Sequence, residues 1–284
     1  MRIHKFIADC GVCSRRAAEK LLEEGKVLVN GKPAQIGQEI DPEHDRVTCE
    51  GKRVRLKKAD KRYFMFYKPR GVITSMKAQD DRNVVADLIA GIEGRVYPVG
   101  RLDKDSEGLL ILTDDGEAAQ KMMHPSTELP KTYRVTVKGD PTDDQLKRLR
   151  EGIRLDDNTV TQPAEVLIHS STDTKTVLYF TIREGKNRQI RRMCEEVGLE
   201  ILLLKRIAIG SIRLGHLAPG AYRPLSHSEI RELLTSLGID PAQKLIKKER
   251  PGAAPQTNGR KTYKRKSEKS IHERWFVKQF VKKK

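Results

Sequence analysis

The chain has 284 residues, 33% of them charged, with a formal net charge of +17 and a pI of about 9.7. That length allows one large domain or two smaller ones with a proper core. The charge points to a polyanionic partner, and no apolar run approaches a membrane span or a signal-peptide core. A soluble, cytoplasmic protein is the expectation. The charge is uneven: residues 241–284 hold 15 Lys/Arg against 3 Asp/Glu, a net of +12, and residues 1–240 hold 41 against 36, a net of +5.

The N-terminal 60 residues read as a small domain. Ile3, Phe6 and Ile7 share a helical face that Gly11 can close. Ser14 is a natural N-cap for a second helix over 15–24, with Gly25 as its stop. Arg15 and Arg16 fall in its first turn, where the helix dipole disfavours cations and free N–H groups attract anions. Phosphate oxygens would suit both. Val27-Leu28-Val29-Asn30-Gly31 predicts a strand entering an Asn-Gly hairpin, and short strands at 47–49 and 54–56 flank Glu50-Gly51. Gly11-Val12-Cys13-Ser14-Arg15-Arg16, the helix, and Gly25-Lys26-Val27-Leu28-Val29-Asn30-Gly31 resemble the S4 RNA-binding domain. That resemblance implies that the second helix and the hairpin touch structured RNA.

After a charged connector, Tyr63 to Tyr67 reads as a buried strand, Lys68-Pro69-Arg70-Gly71 as a turn, and 72–75 as a continuation. A helix is expected over 83–89. Gly100-Arg101-Leu102-Asp103-Lys104-Asp105-Ser106-Glu107-Gly108 is then a charged turn feeding the apolar run Leu109-Leu110-Ile111-Leu112, which reads as a buried strand. A charged turn on a rigid strand is where chemistry tends to sit. Asp103, Asp105, Glu107, Gly108 and Asp114 also fall on EF-hand spacing. Tyr97-Pro98-Val99-Gly100 is a poor end to the helix that such a loop needs, so calcium is set aside.

A helix is expected over 117–123. Lys131 to Val137 alternates, with Tyr133, Val135 and Val137 on the core face. A helix over 141–149 and strands over 160–168 and 176–182 follow. Arg183 to Met193 predicts a strand end, a Gly-containing turn and a helix starting near Asn187. Its cations Arg188, Arg191 and Arg192 stand against the dipole and call for a carboxylate or phosphate. Strands at 202–209 and 212–214 carry Lys205 and Arg206, both phosphate candidates. A helix over 228–237 ends the compact part at Gly238. Residues 241–284 lack a core and are expected to be disordered, although Trp275, Phe276 and Phe280 are unusual in such a tail.

The four cysteines, Cys10, Cys13, Cys49 and Cys194, lack the second pair of a zinc site and read as reduced thiols. The seven histidines form no metal pattern. P-loop, dinucleotide-fold and nucleophile-elbow motifs are absent.

Lys68-Pro69-x-Gly71, Gly100-Arg101-Leu102-Asp103 with Ser106 and Gly108-Leu109-Leu110, Lys131-x-Tyr133, and Gly185-x-Asn187-Arg188-Gln189-Ile190-Arg191-Arg192-Met193 resemble the RsuA/RluB/RluF group of ribosomal RNA pseudouridine synthases. The resemblance spans roughly residues 1–235. Lys104-Asp105-Ser106 and Asn187 to Cys194 look closest to the RluF type, one of those directed at the large ribosomal subunit.

The resemblance implies an α+β chain with an S4 domain over 1–60, a catalytic domain over 61–240 built on a long, mostly antiparallel mixed sheet with flanking helices, and the basic tail over 241–284. It implies Asp103 as nucleophile on the ribose C1′ or the uracil ring of a flipped-out uridine. Arg191 would pair with Asp103, and Tyr133 would act as general base. Arg15, Arg16, Arg101, Arg188, Arg192 and Lys205 would grip RNA. Neither metal nor nucleotide cofactor is implied, and the partner would be ribosomal RNA, most readily 23S, bound by a monomer. A non-catalytic S4-domain RNA-binding or ribosome-assembly factor is the alternative, but binding alone requires none of Asp103, Tyr133 and Arg191.

Overall fold

The computed structural model describes residues 1–56, 61–77 and 83–245. Helices α1 (Ile3–Asp9) and α2 (Arg15–Glu23) pack on a four-stranded sheet of order β2-β1-β3-β4. Its strands are β1 (Val27–Val29), β2 (Lys32–Pro33), β3 (Val47–Cys49) and β4 (Lys52–Val54). Ser14 Oγ accepts from the Ala17 N–H as the expected cap. Asn30 and Gly31 both take positive φ, as their hairpin turn demands. Ile3, Phe6 and Ile7 close the core of this unit over Val27, Val29 and Val47.

The remaining chain forms a nine-stranded sheet of order β13-β5-β7-β11-β8-β10-β9, with β6 on β7 and β12 on β11. Its strands are β5 (Tyr63–Lys68), β6 (Tyr97–Pro98), β7 (Glu107–Thr113), β8 (Lys131–Lys138), β9 (Glu165–Thr172), β10 (Lys175–Ile182), β11 (Ile201–Ile209), β12 (Ile212–Arg213) and β13 (Tyr222–Pro224). All its pairings are antiparallel except β7 with β11. The helices are α3 (Val85–Leu88), α4 (Gly116–Met123), α5 (Asp143–Glu151), α6 (Gln189–Glu196) and α7 (His227–Ser236).

The unbroken apolar run in β7 follows from its place in the sheet. Leu109 and Ile111 face α4 and α7, while Leu110 and Leu112 face α3, so both faces are buried. Further along, Tyr133, Val135 and Val137 of β8 and Leu178, Phe180 and Ile182 of β10 share one face, under α5 and α6. The alternation of β8 is thus the mark of its core side.

Several boundaries differ from expectation. Residues 72–75 form no strand; Ile73 makes one isolated bridge to Val84, and the Thr74 hydroxyl turns to Leu102. The strand expected at 160–168 begins at Glu165, because Val160 bridges Arg154 and Thr161 Oγ1 accepts from the Ile153 N–H. Pro163 next to them has no N–H to give a ladder. The strand expected at 54–56 runs from Lys52 to Val54, and the helix over 83–89 is only Val85–Leu88. The compact part does not end at Gly238: Lys244 reaches back to Glu117 at 2.7 Å and Asp115 at 3.4 Å. A buried N-cap carboxylate at the start of α4 needs a cation, and this lysine supplies it. The expectations for the rest of the tail, with Trp275, Phe276 and Phe280, lie outside the described residues.

Candidate active site

The turn before β7 is fixed from three sides. Leu102, buried in the core beside Tyr133, donates its N–H to Thr74 Oγ1 at 3.2 Å and accepts from that hydroxyl at 2.8 Å. The Gly71 N–H donates to Lys104 O at 2.7 Å, and the Ser106 N–H to Asp103 O at 3.1 Å. From α6, Arg191 Nη2 donates to Asp105 O at 3.1 Å and to the buried Ser106 hydroxyl at 3.2 Å. Asp103 is therefore carried on a rigid loop while its own side chain stays half-exposed.

The β7 strand also disposes of the calcium arrangement. It runs extended from Glu107, so Asp114 is carried away from Asp103 and pairs instead with Arg62 at 2.8 Å. Among the described residues no cluster of His, Cys, Asp and Glu could hold a metal.

Asp103 opens on a cleft of about 640 Å³. Tyr133, Lys131, Arg206, Arg101 and Arg188 line it too. Tyr133 is buried in β8, and its hydroxyl has no hydrogen bond among the described residues. Arg101 and Arg188 are exposed at the rim and make no ion pair among the described residues. Arg188 caps α6 in the left-handed region, at φ +49°, which turns the loop over the cleft.

The structure corrects three expectations about arginines. Arg191 makes no ion pair with Asp103; it grips the backbone and Ser106 two to three residues beyond. The helix α6 starts at Gln189, so Arg191 lies on its flank towards the turn rather than over the carboxylate. Burial and the neighbouring Arg188 lower the pKa of Arg191, while Asp103 and Asp105 oppose the change. Arg192 is not free for phosphate: it is bonded to Asp156 and lies 2.9 Å from Asp157. Arg206 is 4% exposed and belongs to the cleft floor, not to a phosphate-binding surface. Lys205 stands over the Tyr67 ring at 4.6 Å and does not join the cleft. Arg15 and Arg16 are exposed on α2, and Arg15 lines a separate cleft beside Tyr97 and Gly116.

Sequence reasoning overlooked Lys68 as a buried charge near the turn of Asp103. It is fully buried, and its ammonium donates to Pro69 O at 2.9 Å and Val72 O at 2.8 Å. Burial pushes its pKa down to about 8, against the pull of Asp103, Glu107 and Asp105. Its place in Lys68-Pro69-x-Gly71 was the only local signal. Thr74, which clamps Leu102 from 28 residues away, gave none.

A family model described as RNA pseudouridylate synthase matches residues 62–196, and an S4 domain model matches residues 1–47. The chain is 43% identical over 235 residues to a ribosomal large subunit pseudouridine synthase B of Bacillus subtilis, covering 82% of this chain and 95% of that one. It is 41% identical over 241 residues to an RNA pseudouridine synthase of Aquifex aeolicus, covering 84% and 96%. A crystal structure of a pseudouridylate synthase superposes with a TM-score of 0.58 at 32% identity, over 82% of this chain and 99% of that one. The Bacillus relative carries the B designation, not the RluF type expected from Lys104-Asp105-Ser106.

Proposed function

The chain belongs to the RNA pseudouridylate synthase family, and on that premise we propose that it isomerises uridine in ribosomal RNA of the large subunit, with Asp103 as nucleophile. The observation that carries the assignment is the meeting of Asp103 and Tyr133 in one cleft whose rim offers two unpaired cations, Arg101 and Arg188. The target uridine leaves its stack to enter the cleft. Its flanking phosphates stay at the rim with those arginines.

Asp103 attacks the nucleoside, the C1′–N1 bond opens, and the base turns to present C5. Bonding of C5 to C1′ releases the carboxylate again, which suits a group whose esters are labile. The proton leaving C5 goes to the Tyr133 oxygen, which passes its own to solvent, and N1 takes one up; the sum is an isomerisation. Arg191 is a positioning residue that holds the turn of Asp103 through Asp105 and Ser106. Arg15 and Arg16 on the S4 unit, with Lys205, extend the grip on RNA, and the protein works as a monomer in the cytoplasm.

Release of tritium from C5-labelled uridine in ribosomal RNA tests this directly. The expected outcome is one tritium lost per pseudouridine formed. Asp103→Asn should reduce release to trace levels with RNA affinity almost intact, since the amide keeps size but not nucleophilicity. Tight RNA binding by the natural chain with no tritium release would instead favour a non-catalytic scaffold.

A further inference from the structure

Arg206 takes no part in the chemistry assigned to Asp103 and Tyr133, yet it forms the floor of their cleft. It sits on β11 between two strands of the site, level with Gly108 of β7 on one side and Tyr133 of β8 on the other. Paired residues of neighbouring strands project to the same face, and Arg206 and Tyr133 both line the cleft. Its Nε–H donates to Leu109 O at 2.7 Å, which fixes the plane of the guanidinium. Its Nη2 is buried, and no acceptor among the described residues reaches it.

The electrostatic surroundings make this arrangement costly. Arg206 has no carboxylate within ion-pair distance among the described residues. Two further cations, Lys68 and Lys131, feel its charge. Lys131 is bound to Leu129 O at 3.0 Å, and Lys68 to Pro69 O and Val72 O, so neither supplies an anion to Arg206. A buried, fixed and uncompensated guanidinium destabilises the fold unless something brought into the cleft meets it. Phosphates are served at the rim by Arg101 and Arg188. What reaches the floor beside Tyr133 is the base.

Resting on the assignment of uridine isomerisation to this cleft, we propose that Arg206 is a further catalytic residue, whose free Nη–H group donates to a carbonyl oxygen of the uracil and stabilises the negative charge that the base acquires as it leaves the ribose. Whichever atom Asp103 attacks first, the C1′–N1 pair of electrons departs with the base and spreads over N1 and the carbonyl oxygens. Arg206 keeps its proton throughout. When C5 bonds to C1′ the charge disappears, the C5 proton goes to the Tyr133 oxygen, and N1 is protonated from solvent. A donor fixed in advance at the place where charge develops is an effective way to lower such a barrier.

The test compares Arg206→Gln and Arg206→Lys with the natural protein in single-turnover reactions on ribosomal RNA, with urea unfolding and RNA affinity measured alongside. The natural protein must first form pseudouridine; if it does not, the functional assignment fails before Arg206 is in question. With that activity in hand, Arg206→Gln is expected to slow glycosidic cleavage on the order of 100-fold to 1000-fold with RNA affinity changed less than about threefold. Arg206→Lys should recover part of the rate, because it returns the charge without the planar fork. A merely structural role is separated by repeating the measurement with 5-fluorouridine at the target position, whose more acidic base needs less help to leave. The deficit of both variants should then shrink by about tenfold or more. A normal rate, or the same deficit on both bases, would overturn the proposal. If Arg206→Gln unfolds, the comparison of the two bases with Arg206→Lys decides in the same way.

Discussion

Gly108→Ala places one methyl group at the tightest point of the catalytic sheet. The added Cβ would lie 2.2 Å from Arg206 O and 2.7 Å from Arg206 N, both backbone atoms that cannot swing aside. Gly108 also has a φ of +109°, a conformation that side chains rarely adopt. The strain costs on the order of 1–3 kcal/mol, and forcing the two strands apart adds about 1–3 kcal/mol. The parallel pairing of β7 and β11 rests on just two register positions, Lys205 with Glu107 and Arg206 with Gly108, so little else restores it. Gly139→Ala is the control: its φ is +71°, but nothing lies within 4 Å of the new Cβ. It should lose only the backbone term, about 1–2 kcal/mol. Urea unfolding of the two variants, read as a shift in midpoint at constant m, isolates the clash. The Gly108→Ala protein that remains folded should also turn over on the order of 100-fold more slowly, because the turn of Asp103 and the floor at Arg206 are displaced together. Equal stability of the two variants would refute the close-packing argument.

Arg191→Met should slow single-turnover pseudouridine formation on the order of 100-fold by releasing Asp105 and Ser106, with Arg191→Lys partly restored; a normal rate would remove Arg191 from the site. Arg188→Ala should reduce the slope of RNA affinity against salt by about 0.7–0.9, whereas Arg192→Ala, whose guanidinium is held by Asp156 and Asp157, should leave that slope unchanged. Equal slopes in the two variants would contradict this division. Lys68 has its pKa lowered in the fold from 10.5 to about 8. Between those values the unfolded chain binds the extra proton, so this group's contribution to stability rises with pH through that window. Relative to Lys68→Met, the natural protein should therefore gain about 2 kcal/mol between pH 7 and pH 10; stability curves that stay parallel would show the ammonium to be unperturbed.

Much of the molecule was legible from local pattern. Ser14 as a cap, the Asn30-Gly31 hairpin, the charged turn feeding an apolar strand and the core face of β8 each depend on residues within a few positions of one another. Torsional preference and side-chain period act over that range and leave their mark in the sequence. The strand over 160–168 was misplaced because its first residues were claimed by Arg154 and Ile153, through contacts no period encodes.

The motifs were sufficient to place Asp103 and Tyr133 in one cleft, with the roles that the resemblance implies. They could not tell which of several similar arginines face it. Arg188, Arg192 and Arg206 read as phosphate ligands along the chain, and Arg191 as the partner of Asp103. In the fold one stands at the rim, one holds the turn, one is neutralised by two aspartates and one lies on the floor. The sequence determined the chemistry available to this protein, because that chemistry resides in side chains and their immediate turns. Only the tertiary structure decided which charges meet water, which meet a partner and which are left for the substrate. Burial and pairing depend on segments 28 to 97 residues apart coming side by side, and the cost of an unpaired charge is set by those neighbours rather than by the residue itself.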